Sequence, residues 1–292
     1  MLIVDSQVHV WSKGESTGPH RRSPITRDVL TAEMAAAGVA RVVLAPPLWD
    51  PGGNEYSLSL AQAEPDRFAV MGLLEPNVAD PCQRLRSWHE QRGMLGIRFL
   101  FNSKDRIVPL QEGRFAQLWR VAEEMGLAVA LLIPSALHLV DDIARCHPEL
   151  RIIVDHLGVP RGFSGPGAFD HLPALLALAA HPNVCVKASG MGDYALDPYP
   201  FRSLEVALRR VFDSFGPERI LWGSDLSRLH HPYRQCVSHF SESLPWLSSA
   251  DLELIMGGNV CRLLGWSGTV PASGTVPSLH LRAARMKSGD SP

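Results

Sequence analysis

VDSQVHV, Val4 to Val10, is an apolar segment that carries Asp5, Gln7 and His9 at every second position, and the architecture turns on that alternation. Side chains of a β-strand alternate between its two faces. Leu2, Val4, Val8 and Val10 then share one face, with Ser6 among them, and Ile3, Asp5, Gln7 and His9 share the other. That second face starts apolar and turns polar toward its exit. A strand lying on a solvated surface would be polar along its length, so the pattern describes a strand whose tip points into a cavity.

Seven further segments of the same kind follow: RVVLAPP from Arg41, FAVMGLL from Phe68, LGIRFLF from Leu95, LAVALLI from Leu127, RIIVDHL from Arg151, NVCVKAS from Asn183 and RILWGSD from Arg219. Each is short and rich in Val, Ile or Leu, as a strand buried on both faces should be. Between several of them lie helical patterns. Thr26 to Gly38 has a capping Thr and a terminal Gly. Glu112 to Gly126 puts Phe115, Leu118, Trp119, Ala122 and Met125 on one stripe. Phe201 to Gly216 repeats the pattern, AFDHLPALLALAAH has Pro173 early, and two helical stretches follow the eighth strand, the later one capped by Ser248 or Ser249. Eight strands alternating with helices predict an α/β fold, a (β/α)₈ barrel over residues 1–266. A doubly wound open sheet is the alternative, but no Gly-rich phosphate loop follows any strand. Residues 267–292, beginning SGTVPASGTVPS, read as a flexible Gly/Pro/Ser-rich C-terminal tail.

The bulk numbers narrow the function classes. Of 292 residues, 46% are hydrophobic and 20% charged, with a net charge of −2, the values of an ordinary globular protein and not of a nucleic-acid binder. The five cysteines are scattered and never spaced CxxC, which argues against a disulfide framework and for a reducing compartment. No secretory pattern opens the chain and no apolar run is long enough to span a bilayer. The expectation is a cytoplasmic protein acting on a small molecule, without nucleic-acid or membrane partners, and by base rate a homodimer.

In a (β/α)₈ barrel the chemistry sits at the C-terminal ends of the strands. Strand one offers Gln7 and His9, strand four Arg98, strand six His156 beside Asp155, strand seven Lys187 and Ser189, and strand eight Asp225, with Arg228 just beyond. Strand parity puts Val154 with His156, and Leu221 and Gly223 with Asp225. Taken singly, each His is more often a hydrogen-bonded core residue, and Arg98 and Lys187 can simply pair with Asp5, Asp155 or Asp225. Together they form one polar rim, and burying so many ionisable groups costs several kcal/mol unless they are paired or used. His20 with Arg21 and Arg22 lies in the loop after strand one, which reads as a solvated loop, with a substrate lid as the alternative, and Trp11 reads as a pocket wall or loop packing. His230 and His231 lie close enough to Asp225 to reach the rim. Loops 11–25, 47–57, 157–169 and 189–200 are the ones that would choose a substrate.

Taken in order, VDSQVHVW, GIRFLF, VDHLG, NVCVKASG and ERILWGSD resemble the amidohydrolase-related TIM barrels, in the branch of the pyrone-dicarboxylate and sugar-acid lactonases. The likeness runs from about Val4 to Trp266. It implies hydrolysis of a lactone, with Asp225 as the base on water, His9 and His156 polarising the carbonyl, and Gln7, Arg98, Lys187, Ser189 and Arg228 binding substrate. The superfamily usually opens with HxH, two zinc ligands; here Gln7 replaces the first, and strand five ends in LLIPSA without a ligand. No metal is therefore favoured; a divalent ion such as Zn²⁺, if bound, would take His9, His156 and Asp225. Two other readings stand beside this one: a metal-dependent decarboxylase of an aromatic or unsaturated carboxylic acid, and a barrel that binds a ligand without catalysis.

Overall fold

The computed structural model describes residues 1–75, 78–160 and 162–267. Eight parallel strands follow one another around the sheet in chain order: β1 (Val4–Val8), β2 (Arg41–Leu44), β3 (Phe68–Leu73), β4 (Met94–Leu100), β5 (Ala128–Leu132), β6 (Arg151–Val154), β7 (Val184–Ser189) and β8 (Ile220–Gly223). This is the TIM barrel expected from the alternation of apolar runs and helical patterns. Between and after the strands lie α1 (Arg27–Ala37), α2 (Gly53–Ala63), α3 (Pro81–His89), α4 (Lys104–Gln111), α5 (Ala116–Glu124), α6 (Leu137–Cys146), α7 (Leu172–Ala177), α8 (Glu205–Phe215), α9 (Tyr233–Ser243), α10 (Ser249–Glu253) and α11 (Asn259–Leu264). Helix α1 shows the local logic. Leu30, Met34 and Ala37 make its buried stripe, and Gly38, at φ 76°, ends it by donating to the Ala35 and Met34 carbonyls. Ser248 and Asp251 form a capping box on α10. Part of the segment expected to be loop, 47–57, is already helix: α2 starts at Gly53, where no Ser, Thr or Asp cap advertises it. No helix is long and apolar enough to cross a membrane among the described residues. Of the expected tail, residues 268–292 lie outside the described residues.

Alternation sorts the barrel's residues into an outer and an inner set. Val42, Leu44, Val70, Ile97, Phe99, Val129, Leu131, Ile152 and Val154 pack outward into the main core. Val43, Ala69, Met71, Ala128, Ala130, Ile153 and Leu221 form a separate inner cluster, closed by Val260, Leu264 and Trp266 from the C-terminal end of the described chain. Above this floor lies a layer of charged and polar side chains, and above that the mouth.

Strand β1 departs from strict alternation. Its pairing with β2 shifts register between Asp5 and Val8, so Val4 joins the inner floor while Val8 packs outward. The bulge frees Asp5 from the inner face. Its carboxylate accepts from Ser224 N at 2.9 Å, Gln7 N at 2.9 Å and the Tyr233 hydroxyl at 2.5 Å. Ser6 Oγ donates to Trp222 O at 2.6 Å, and Asp225 N to Gln7 O at 3.0 Å. These bonds clasp β1 to β8. The clasp needs a close approach: a Cβ at Gly223 would stand 2.9 Å from Ser6 Oγ and 3.1 Å from Ser189 Cβ.

Candidate active site

A cavity of about 370 Å³ opens at the C-terminal mouth of the barrel. Of the eight residues expected to act on or bind substrate, five line it: His9, Arg98, His156, Asp225 and Arg228. Strand parity accounts for Asp225, which continues the inward row of Leu221 and Gly223. It does not account for His156. Val154 faces outward, and His156 reaches the cavity because the chain turns left-handed there, at φ 53°. Asp225 is left-handed as well, at φ 52°. Such backbone costs of order 1 kcal/mol or more per residue and collects at functional sites.

Gln7, Lys187 and Ser189, expected to bind substrate, are not among the residues that line the cavity. They lie one layer lower. Lys187, only 1% exposed, donates to Gln7 Oε1 at 2.9 Å and to Asp155 Oδ1 at 2.8 Å. Arg98 Nε donates to Asp155 Oδ2 at 2.7 Å. The carboxylate thus has a cation on each oxygen. Burial raises the Asp155 pKa, but Lys187 and Arg98 outweigh it and hold the carboxyl well below its usual range. Burial lowers the Lys187 pKa, opposed by Asp155. Ser189 sits behind His156, its hydroxyl 2.8 Å from Nδ1.

At the mouth, Asp225 is fully enclosed by protein yet less satisfied. His9 Nε2 lies 3.3 Å from its Oδ1, His156 Nε2 3.9 Å from its Oδ2, and Arg228 Nη1 3.5 Å from Oδ2. Burial pushes the Asp225 pKa up; His156, His9 and Arg228 more than reverse this, so the group is an anion at neutral pH. Burial drives His156 down to about 4, against the pull of Asp225 and Asp155, so its imidazole is neutral. Arg228 also faces Asp193 at 3.8 Å and stacks on the Tyr194 ring at 5.6 Å. Asp193, which lines the cavity too, is raised by burial to about 6 despite Arg228.

The donor chemistry around His9 is informative. Its Nδ1 lies 2.5 Å from the Ala45 carbonyl, which only accepts, so Nδ1 carries the proton. Nε2 then faces Asp225 Oδ1, a buried oxygen without a hydrogen-bond partner among the described residues. Two acceptors face each other there, an arrangement that a bound cation would bridge. His20 completes a ligand set. His9, His20 and Asp225 each offer an atom within 4.8 Å of the others. The residues present therefore fit a divalent ion, with the His9 ring oriented through Nδ1 as outer contacts orient metal-binding imidazoles. His20 joins His9 and Asp225, two of the three ligands expected if a metal is bound; the third, His156, has its Nε2 3.9 Å from Asp225 Oδ2.

His20, expected on a solvated loop, is buried instead. Its Nδ1 lies 2.7 Å from Ser227 Oγ, and Arg21 N donates to Ser227 O at 2.7 Å, so the first loop is fastened to the last. Trp49 packs on His20 with ring centroids 4.6 Å apart, and on His9 at 5.7 Å. Trp11, fully buried, stacks edge-on to Trp49 and does not line the cavity. His230 lines it; His231 does not. No spacing in the sequence links His20 to Asp225, because the contact is made through Ser227.

The sequence profile of the family described as Amidohydrolase matches residues 4–266. The chain belongs to the amidohydrolase family. It is thereby a hydrolase-family enzyme, as the order of its strand motifs implies. Among curated relatives, an L-fucono-1,5-lactonase of Burkholderia ambifaria is 28% identical over 88% of this chain and 93% of its own length. Among solved structures, an amidohydrolase from Burkholderia multivorans with bound zinc superposes with a TM-score of 0.76 at 22% identity, covering 91% of this chain and 99% of that one. A probable 2-pyrone-4,6-dicarboxylic acid hydrolase from Acinetobacter baumannii with citric acid bound gives 0.72 at 19% identity, over 91% and 100% of the two chains. The two structures share the fold of this amidohydrolase.

Proposed function

We propose that this amidohydrolase opens a carboxylate-bearing lactone with water, using Asp225 as the base. The observation that carries the reading is Asp225 itself: a buried anion with one oxygen lacking a hydrogen bond among the described residues, at a cavity that also presents a neutral imidazole and two guanidinium groups. The curated lactonase relative supports the same reaction class.

The chemistry follows from the positions of the groups. Asp225 takes a proton from water as the water oxygen attacks the lactone carbonyl carbon. His156, with Ser189 Oγ on Nδ1, presents Nε2–H to the oxyanion; a neutral imidazole donates without placing a second positive charge beside Arg228. The ring C–O bond then breaks, and the proton held by Asp225 passes to the departing alkoxide. The product is a hydroxy acid. Arg98 is held rigid through Nε by Asp155, which leaves its terminal nitrogens for a substrate carboxylate. Arg228 offers a second cation on the opposite side of the mouth. Gln7 and Lys187 act through Asp155 and Arg98 as positioning residues.

His9, His20 and Asp225 would hold a divalent ion. Such an ion would supply Lewis acidity at the carbonyl and lower the pKa of a bound water. The zinc in the Burkholderia multivorans structure motivates a metal analysis of the purified protein.

The test is a pH-stat assay of ring opening across a panel of carboxylated lactones, run beside a CO₂ assay on carboxylic acids. Lactone opening supports the proposal. CO₂ release without ring opening overturns it in favour of the decarboxylase, and saturable ligand binding without turnover would favour the non-catalytic barrel.

A further inference from the structure

The mouth of the barrel is divided into two chemically different halves. Apart from Arg98 of β4, the charged and imidazole groups come from β1 and the strands after β5: His9 and His20 beyond β1, His156 after β6, Asp193 after β7 with Tyr194 beside it, Asp225, Arg228 and His230 after β8. The clasp between β1 and β8 makes these strands neighbours, so the polar groups form one continuous arc. The side contributed by β2 to β5 is different. Above Arg98 it presents Pro47 and Leu48 after β2, Leu100 of β4 and Leu132 of β5. Leu100 and Leu132 pack with Leu73 of β3 into a small cluster separate from the main core, three inward-facing leucines at the top of neighbouring strands. Val159 and Phe163, from the loop after β6, extend the apolar wall.

Two of these residues are exposed to an unusual degree. Leu48 is 44% exposed and Phe163 53% exposed, and both stand on the cavity. Large apolar side chains left in water at the rim of a concave site signify an apolar ligand surface to be covered. A polyhydroxylated ring would meet them badly. Each sugar hydroxyl that exchanges water for a leucine face loses its hydrogen bonds.

We infer that the lactone taken by this site is amphipathic: its carboxylate and carbonyl face the polar arc and Arg98, and an alkyl or aryl substituent lies against Leu48, Leu100, Leu132 and Phe163. The inference rests on the proposed lactone chemistry for the identity of the ring, but the division of the mouth is independent of catalysis. It separates this chain from the sugar-lactone specificity named for its Burkholderia ambifaria relative.

The experiment measures binding of ring-opened hydroxy acids by calorimetry, which needs no turnover. The probes are a phenyl-substituted hydroxy dicarboxylic acid, its unsubstituted parent, and an aldonic acid of similar size. The phenyl acid should bind about tenfold tighter than the parent and than the aldonic acid, the scale expected for filling an apolar subsite. Leu48→Ser and Phe163→Ser, both at exposed positions, should reduce the phenyl-to-parent affinity ratio about threefold to tenfold. Leu132→Asn should reduce it as well, with a thermal melt to show that the barrel is intact. Equal affinity for the three acids, tighter binding of the aldonic acid, or ratios unmoved by Leu48→Ser and Phe163→Ser would overturn the inference. If the affinity pattern holds while no lactone is opened, the amphipathic ligand class stands and the hydrolytic reading fails. If lactones are opened with no affinity pattern, hydrolysis stands and the amphipathic ligand class fails.

Discussion

Asp155 and Asp225 stand in successive layers of one barrel. Both are buried, and neighbouring cationic or polarisable groups hold both well below the usual carboxylate range. Their surroundings nevertheless differ. Each oxygen of Asp155 accepts from a side chain that is itself buried, Lys187 on one and Arg98 on the other. Asp225 has longer contacts, from 3.3 to 3.9 Å, and its Oδ1 has no hydrogen bond among the described residues. Two carboxylates of the same type thus do different work according to how completely they are paired. The lower one fixes Arg98; the upper one keeps an acceptor for water or a cation. By sequence, Lys187 and Arg98 fit equally as internal partners of an aspartate or as substrate ligands. In the barrel Lys187 pairs with Gln7 and Asp155 below the cavity. Arg98 is pinned at Nε by Asp155 and also lines the cavity.

Substitutions set the two carboxylates apart. Asp225→Asn should lower kcat for ring opening about 10³-fold or more, because the base is lost, with a smaller loss of stability than Lys187→Met because its pairing contacts are longer. Lys187→Met should do the opposite in kind. It leaves Asp155 with one cation, and stability should fall by about 3–5 kcal/mol in denaturant unfolding. Adding Asp155→Asn to Lys187→Met should recover part of that loss, since the stranded anion is gone; a double variant as unstable as the sum would show that the lower layer is not an ion-pair unit.

Acid probes the upper layer at His156. Its folded-state pKa, about 4, lies below the ordinary 6.5, so the unfolded chain takes up the proton first. The stability from this group is complete above about pH 6.5 and is lost as pH falls toward 4. Asp5 and Asp193, both raised to about 6, contribute in the opposite sense over part of that window. Comparing the wild type with His156→Gln removes those shared contributions. The wild type should lose stability relative to the variant between pH 6.5 and 4, on the order of a few kcal/mol. A constant difference across that range would contradict a neutral, buried His156. The smallest effect should come from Ser189→Ala. It removes the hydroxyl behind His156 Nδ1 and should cost about 1 kcal/mol of stability and a several-fold drop in kcat, with KM nearly unchanged.

Much of this is legible in the chain. The eight runs of Val, Ile and Leu mark the strands, and the period of two puts Asp225 on the inward row with Leu221. What the period cannot give is any residue placed by a departure from it. Val4 lies inside because β1 bulges after Asp5. His156 reaches the mouth through a left-handed turn, where parity alone would send it outward. His20 is brought in by Ser227, a partner 207 residues away. Local pattern therefore reads the scaffold well, and it reads least well the points where the scaffold bends to make the site.

The proposed chemistry stands or falls on whether water held by Asp225 adds to a lactone carbonyl. Single-turnover hydrolysis of a carboxylated lactone in H₂¹⁸O, followed by mass spectrometry of the product, reads that step without intermediaries. Attack by this water should leave one ¹⁸O in the carboxyl group derived from the lactone carbonyl and none in the released hydroxyl. Label in the hydroxyl, or CO₂ formed in place of the hydroxy acid, would contradict it.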